Sequence, residues 1–597
     1  MKTRVADYLT NKIYEAGGET VFLITGGMIM HLTDALRNHG KQKFVCCHHE
    51  QSASMAADAY GRYTGKLGAA YVTAGPGALN TMTGVVGAFV DSAPCVIVAG
   101  QSKVSQATVT SPRQFALQGF NTLPIFSRVT KYACMLNDIN RVRYEIEKAL
   151  YLAVTGRPGP VWIEVPIDIQ GTMFDPEEYE GFVPQKEFPE NASWKSQVPT
   201  IAEAIKAARR PLILAGAGVR CAHAVNDLRT FAERFQIPLM TSRLGMDLIE
   251  FDHPLYVGHP GSYGDRPANF AMQNCDLLLT IGCRMALGLV GHDYESVAPN
   301  AKRIMVDLDV QELEKPALRP HIPVLADAKQ FLESLTPALG QYRFARSNWI
   351  AQTQHWKKRY PVCLPEYRAA KNGLNSYSFV NMWSDKAKEG DIFVSDTGSC
   401  FHVFAQGFKV KKNQRQIITG GLSTMGYSPA SIGVAAAAQN QNVYCISGDG
   451  SIQFNIQEFQ TIVHNKLPVK TVVLNNNGYL LIRLTQKNFQ GGRFIGEGEE
   501  SGVSFPSLEK LAAAYGIPFL QIRSQDDLEL GVEKLVTHNG PLICEVLCQP
   551  EQLLIPRVAS KQLPSGQMAS CPYDDMFPFL SREEYEENCF AKHDTGI

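Results

Sequence analysis

Short β-branched runs alternate with longer amphipathic or Ala-rich stretches along most of this chain. That alternation predicts βαβ units built on parallel sheets. In the first third, strands are expected at Val21–Thr25, Phe44–His48, Ala69–Thr73, Cys95–Ala99 and Val161–Val165, with helices over Gly27–Arg37 and Glu50–Thr64. A second block has expected strands at Pro211–Ala215, Leu277–Ile281 and Arg303–Asp307. The third runs from Asn375 to about Val546, with strands at Ile392–Ser395, Val443–Ser447, Thr471–Leu474 and Leu542–Val546 and a helix-like stretch from Ser451 to His464. Between blocks, Asp175–Lys195 is acidic and Pro-rich and reads as a linker, and the polar, aromatic stretch Phe344–Arg368 reads as a helical connector. The last residues carry no strong period. The division that follows is 1–172, 195–340 and 372–550, with a tail over 551–597. The fold class is α/β, with three doubly wound parallel-sheet domains that look alike in kind and suggest one architecture used three times.

Charge removes several function classes. Lys+Arg 57 against Asp+Glu 58 in 597 residues leaves a net charge of -1, so no global field draws nucleic acid or an anionic membrane. The N-terminus lacks an apolar core and a small-residue cleavage site, and the apolar stretch from Gly84 to Gly100 is broken by Asp91 and Pro94. A cytoplasmic protein is expected. Its 14 cysteines are scattered without a Cys-x-x-Cys pair, which points to reduced, buried thiols rather than zinc or disulfides.

Candidate chemistry begins where the expected strand at 443–447 runs into Gly448-Asp449-Gly450, and the strand at 471–474 ends in Asn475-Asn476-Asn477-Gly478-Tyr479. A carboxylate and an amide then sit at the carboxyl ends of two parallel strands, where open α/β sheets bind ligands. Mg²⁺ favours oxygen ligands supplied by one or two protein groups plus phosphate. Glycines let the backbone approach a diphosphate, and a helix start such as Ser451 favours its charge. Gly-Asp-Gly alone is common, and the bland alternative is two ordinary strand-to-loop turns.

The spacing is less common. Gly-Asp-Gly followed about 25 residues later by Asn-Asn resembles the signature of thiamine diphosphate enzymes. By that resemblance the metal ligands are Asp449, Asn476 and the Gly478 carbonyl, with Gly398, Gly448, Gly450, Ser451 and Tyr479 near the coenzyme. A second motif agrees. His48-His49-Glu50-Gln51 precedes an Ala-rich helix, at the position where the acetolactate synthase-like group carries its essential acid. There a carboxyl at the pyrimidine N1′ favours the imino tautomer, whose nitrogen takes the thiazolium C2 proton. A buried site would raise the acid's pKa toward neutrality. Alone, Glu50 would be a solvated helix-start acid.

The resemblance to acetolactate synthase-like enzymes runs through nearly the whole chain. Thr73-Ala-Gly-Pro-Gly-Ala-Leu-Asn80 looks like a family turn, Asp91-Ser-Ala-Pro94 like the following strand entry, and Gly156–Pro166 like the end of the pyrimidine-binding domain. It implies pyrimidine-binding, central and diphosphate-binding domains in that order. Thr73 and Asn80 then border the coenzyme, Met425 wedges beneath it, the Gly27 backbone faces the reacting carbon, and Gln118 lies near the substrate. Active sites shared across a homodimer or homotetramer are also implied, with Glu50 of one chain serving Asp449 of its partner. In the central domain Gly216-Ala217-Gly218, Arg284, Asp307 and Asp327 fall at positions that bind FAD in acetolactate synthases. Many relatives keep this domain without flavin, so occupancy stays open, and a bound flavin would be structural because no net redox change is needed.

Three segments depart from the family pattern: Ser399-Cys400-Phe401-His402 after Gly398, Leu481-Ile482-Arg483 through Phe489, and the tail from Pro556 through Pro578. They resemble enzymes of surface-polysaccharide pathways, which pass an acetyl unit from pyruvate to a nucleotide-linked keto-sugar. The expected reaction is decarboxylation of a 2-keto acid, most simply pyruvate, followed by carboligation to a second pyruvate or a keto-sugar. A non-catalytic paralogue would be expected to lack Glu50 or Asp449, and both are present. An NAD-type protein would need Gly-x-Gly-x-x-Gly opening a helix after a strand, and none stands in that context. A lyase or hydrolase on the same scaffold stays open.

Overall fold

The computed structural model describes residues 1–109, 112–184, 193–291, 293–342, 347–369, 373–438, 441–562, 565 and 568–589. Parts of the expected linker (185–192), connector (344–346) and tail (590–597) lie outside the described residues. Three six-stranded sheets carry the fold, and every strand pair within them is parallel. The first runs, edge to edge, Lys43–Cys46, Thr20–Leu23, Gly68–Val72, Cys95–Gln101, Pro160–Pro166 and Tyr132–Met135. The last runs Arg415–Ile418, Ile392–Ser395, Val443–Gly448, Val469–Asn475, Leu542–Leu547 and Phe519–Ile522. With strands numbered in chain order within each sheet, both have the order 2-1-3-4-6-5. The central sheet runs Tyr256–Gly258, Leu239–Thr241, Pro211–Ala215, Leu277–Ile281, Lys302–Asp307 and Ile322–Leu325, which is 3-2-1-4-5-6. The expected threefold likeness therefore holds between the outer domains, and the central domain is wound differently.

Burial explains which strands the pattern reveals. Cys95–Gln101 and Pro160–Pro166 are buried at every position, as continuous apolar runs covered on both faces should be. Six strands of these three sheets were not expected from the sequence, and five of them are sheet edges: Tyr132–Met135, Tyr256–Gly258, Ile322–Leu325, Arg415–Ile418 and Phe519–Ile522. These five are only three or four residues long, too short to establish a period in the sequence. The expected helix over Ser451–His464 is two pieces, a tight turn at Ser451–Asn455 and a helix at Glu458–His464. Likewise Gly27–Ile29 is a tight turn before the helix Met30–His39.

The chain packs as two compact units, one holding 1–187, 390–401 and 415–550, the other 188–389, 402–414 and 551–597. In the first, the helix Glu50–Thr64 buries most of its length and lies against the helix Ala430–Ala437. Small residues make this possible. A Cβ on Gly433 would lie 2.0 Å from the Ala56 carbonyl, one on Gly68 1.9 Å from the Ala57 carbonyl, and one on Gly84 2.1 Å from Ser54 Oγ. In the second unit the described part of the tail forms regular elements. Arg557–Val558 pairs with Met576–Phe577, Ser560–Gln562 pairs with Met568–Ser570, and a helix spans Arg582–Glu587. Polar side chains of the central domain hold it. Asn269 donates to the Tyr573 carbonyl at 2.9 Å, Arg266 to the Pro578 carbonyl at 2.6 Å, and Trp356 to Asn588 Oδ1 at 2.6 Å. Of the 14 cysteines, ten are buried. Among the described residues no helix is long and apolar enough to cross a membrane.

Candidate active site

In the last sheet the strand order switches direction between the parallel strands Ile392–Ser395 and Val443–Gly448, and ligands of open α/β sheets gather at the carboxyl ends of such a pair. Gly398, Gly448, Asp449, Gly450 and the Asn475–Gly478 turn all follow strands at this end. Asp449 is buried, and its carboxylate accepts the Gly478 N–H at 2.8 Å and the Gly450 N–H at 3.0 Å. Burial nevertheless pushes its pKa up to about 6. Asn476 donates its amide to Ser399 Oγ at 3.1 Å, and its Oδ1 is buried with no hydrogen-bond partner. A buried acceptor oxygen left bare, on the turn whose Gly478 N–H Asp449 holds, is costly unless a cation or donor completes it. The donor set, one carboxylate and one amide oxygen, suits Mg²⁺. Backbone room is present too: a Cβ on Gly448 or Gly398 would meet nothing within 4 Å, and Gly398 has φ +103°.

Gly450 lies under the Tyr479 ring, where a Cβ would come within 2.3 Å. Ser451 Oγ accepts the Gly426 N–H at 3.0 Å, and Asn455 donates to the Gly426 carbonyl at 2.7 Å, so the turn after Gly450 steadies the loop that carries half-buried Met425. Asp91 takes hold of the same loop from the first domain, accepting the Gly420 and Gly421 N–H groups at 3.0 and 2.9 Å. Tyr427 OH bonds the Asp58 carboxylate, and Arg62 reaches both Tyr427 OH at 3.2 Å and the Ile418 carbonyl at 2.8 Å. Asp58 and Arg62 lie on the Glu50 helix. Burial raises Asp58 to about 6 despite Arg62 and Tyr427. Asp396, fully buried between Ser447 Oγ and the Thr397 and Tyr427 N–H groups, is likewise raised to about 6 by burial.

The second group forms at the carboxyl ends of the first sheet. Glu50 opens its helix half-buried, and Asn80 donates to its Oε2 at 2.9 Å. A Cβ on Gly77 would be 3.2 Å from Glu50 Oε1 and 2.8 Å from Thr73 Cγ2, and one on Gly26 would be 2.5 Å from Thr73 Cβ. Gly26, Thr73, Gly77, Asn80 and Glu50 thus line one recess, and Thr73 Oγ1 is buried there without a partner. Gln118 joins them: its carbonyl would lie 2.8 Å from a Cβ on Gly75. Gly27 is exposed, with open space where a Cβ would stand. His49 serves as the helix cap, its Nδ1 accepting the Gln51 N–H at 3.1 Å, while the His48 N–H donates to Glu458 at 3.0 Å. Asn455 bonds the side chains of Gln51 at 3.1 Å and Ser52 at 3.2 Å.

The central-domain residues are already engaged. The Gly216 N–H donates to the Ile281 carbonyl and the Gly218 N–H to the Gly282 carbonyl, each at 3.0 Å. A Cβ on Gly216 would meet Gly282 O at 2.1 Å, so these glycines serve close loop packing beside Ala217. Asp307 accepts the Asp309 N–H at 3.0 Å, and Asp327 caps the helix Ala328–Leu339 through the Lys329 and Gln330 N–H groups. Arg284 is half-buried in the loop after Gly282. These engagements leave the FAD expectation without support.

Three thiamine pyrophosphate enzyme models match the chain, the N-terminal TPP binding domain over 3–123, the central domain over 198–335 and the C-terminal TPP binding domain over 396–546. The chain is 31% identical over 544 residues to the acetolactate synthase isozyme 2 large subunit of Escherichia coli K12, covering 91% of this chain and 95% of that one. It belongs to the acetolactate synthase-like thiamine pyrophosphate enzymes. A probable acetolactate synthase large subunit of Methanocaldococcus jannaschii is 31% identical over 562 residues, covering 92% of both chains. The Lactococcus lactis large subunit is 30% identical over 570 residues, covering 94% of this chain and 95% of its own. In this thiamine pyrophosphate enzyme the sequence motifs lead to the strand ends that carry Gly398, Asp449 and Asn476 and to the helix start at Glu50. They did not reveal Asp396, Asp58, Arg62 or Asn455, which hold the Met425 loop and the Glu50 helix in place. An acid directly after a buried strand, as at Asp396, is the one signal that could have been read.

Proposed function

We propose that this enzyme uses thiamine diphosphate and Mg²⁺ to decarboxylate a 2-keto acid, pyruvate in the simplest case, and to join the two-carbon acyl unit to an acceptor carbonyl. The bare, buried Oδ1 of Asn476, on the turn whose Gly478 N–H the Asp449 carboxylate holds, carries the reading, because that donor set has the chemistry of a diphosphate-bound cation site. Similarity to acetolactate synthases over more than nine-tenths of the chain supports the reaction class. Thiamine diphosphate, when bound, supplies the nucleophilic carbon and the electron sink that decarboxylation needs.

The chain's own residues divide the remaining work. Asp449, Asn476 and the Gly478 carbonyl would hold the cation, and Gly448 and Gly450 leave the backbone open to phosphate oxygens. Glu50, steadied by Asn80, would hold the proton shared with the pyrimidine N1′. The orphaned Thr73 Oγ1 would bond the coenzyme in the same recess, Met425 would support it from below, and Gln118 would border the substrate. Glu50 is only half-buried in one chain, which leaves its side chain open to further cover. That supports a homodimer or homotetramer in which a partner's diphosphate domain closes over Glu50.

The departures at 399–402 and 481–489 favour an acceptor other than a second pyruvate, and a nucleotide-linked keto-sugar is the second reading. Incubation with ¹³C-pyruvate, thiamine diphosphate and Mg²⁺, with and without such a sugar, distinguishes them. ¹³CO₂ release with labelled acetolactate supports the first acceptor, and a labelled branched sugar the second. Absence of ¹³CO₂ under both conditions removes pyruvate as donor.

A further inference from the structure

Arg483 stands in the segment after Tyr479 that departs from the family pattern, on the helix Leu480–Phe489. Its guanidinium turns back onto the turn that bears the cation ligands. One terminal nitrogen donates to the Asn476 carbonyl at 3.2 Å and the Pro550 carbonyl at 2.7 Å, the other to the Asn477 carbonyl at 2.7 Å. Nε meets Glu497 at 2.5 Å, and the two side chains are only 12% and 10% exposed. The Glu497 carbonyl accepts the Tyr479 N–H at 2.7 Å, so the pair grips both sides of Gly478. A Cβ on Gly478 would sit 2.5 Å from Arg483 and 2.1 Å from the Glu497 carbonyl.

The turn needs such a grip. Asn477 and Gly478 have φ +56° and +137° in succession, a conformation that a free loop would not keep. Asn476 is fixed at both ends, its carbonyl by Arg483 and its amide nitrogen by Ser399, which leaves Oδ1 as its spare acceptor. An arginine suits this because its planar fork serves several carbonyls at once, which a lysine cannot. A lone guanidinium so near would also repel a dication, and the Glu497 carboxylate cancels that charge.

We propose that Arg483, neutralised by Glu497, is a positioning residue that holds the Asn475–Gly478 turn in the shape that receives the diphosphate-bound divalent cation. This rests on the cofactor reading above. The test is calorimetric titration of Mg²⁺ into the full-length protein with thiamine diphosphate present, for wild type, Arg483→Met, Arg483→Lys and Glu497→Gln, with thermal unfolding of each without cofactor. Arg483→Met should weaken Mg²⁺ about tenfold or more, and Arg483→Lys by a smaller factor. Glu497→Gln should also weaken it, by a factor that shrinks as ionic strength rises, since its defect is uncompensated charge. Mg²⁺ affinity within twofold of wild type in Arg483→Met and Glu497→Gln would overturn the proposal. Should Arg483→Met fail to fold, Arg483→Lys and Glu497→Gln decide it by the same criterion. Wild type taking up neither Mg²⁺ nor coenzyme would refute the cofactor reading instead.

Discussion

Gly433→Ala tests whether the helix that begins at Glu50 is placed by backbone contact. The added methyl would start 2.0 Å from the Ala56 carbonyl oxygen, 2.7 Å from its carbon and 2.9 Å from its Cα. Ordinary contact begins near 3.4 Å, so the helices must separate by about 1.4 Å along that line. Retreat is blocked, because the Ala57 carbonyl would already lie 1.9 Å from a Cβ on Gly68 and Ser54 Oγ 2.1 Å from one on Gly84. Alanine is the better helix former by about 1 kcal/mol, whereas overpacking costs about 1–3 kcal/mol and more against rigid backbone. The net expectation is a loss of about 2 kcal/mol. Displacing Glu50 by about 1 Å should lower kcat by up to about a hundredfold. Thermal unfolding and steady-state turnover read the two effects. Gly87→Ala is the control, since a Cβ there meets nothing within 4 Å, and it should be neutral or stabilising. A Gly433→Ala protein with full stability and full turnover would refute the reasoning.

Other outcomes follow from the same contacts. Glu50→Gln should fold normally and lose most turnover, read by circular dichroism and CO₂ release. Asp91→Asn gives up charged acceptance of the Gly420 and Gly421 N–H groups, so the protein should lose about 2–4 kcal/mol, read by denaturant unfolding. Asp58 and Asp396 have folded pKa values of about 6, above the unfolded value of 3.8. Between these values the folded state binds more protons, so their contribution should stabilise the protein as pH falls from about 6 to 4, by up to about 3 kcal/mol per group. Asp58→Asn and Asp396→Asn should flatten that rise in stability curves measured across this window.

Much of this was legible in the sequence because the relevant physics is local. Glu50–Thr64 was readable to the residue, since its small side chains and its glycine end at Gly65 mark it without reference to the rest of the fold. Gly448-Asp449-Gly450 and Asn475–Gly478 stood out because an acid, an amide and glycines stand together directly at the ends of two strands. Edge strands such as Phe519–Ile522, buried fully at one position only, left too little periodicity to read. The tail escaped for a related reason: its order comes from Arg266, Asn269 and Trp356, some three hundred residues away at Asn269 and Tyr573. Nothing local in the sequence joins Arg483 to Glu497, because only the folded turn brings them together and sets Arg483 on Asn476 and Asn477.

The central claim is that the Glu50 recess and the Asp449–Asn476 pair are the two halves of one thiamine site, contributed by different chains. Co-expression of Glu50→Ala and Asp449→Ala chains carrying different tags, with tandem purification of the mixed dimer, tests it directly. Both homodimers should be inactive with 2-keto acid, and the hybrid should recover about half of wild-type turnover, because one of its two sites is intact. A hybrid as inactive as the homodimers, or a homodimer that keeps full turnover, would contradict the account.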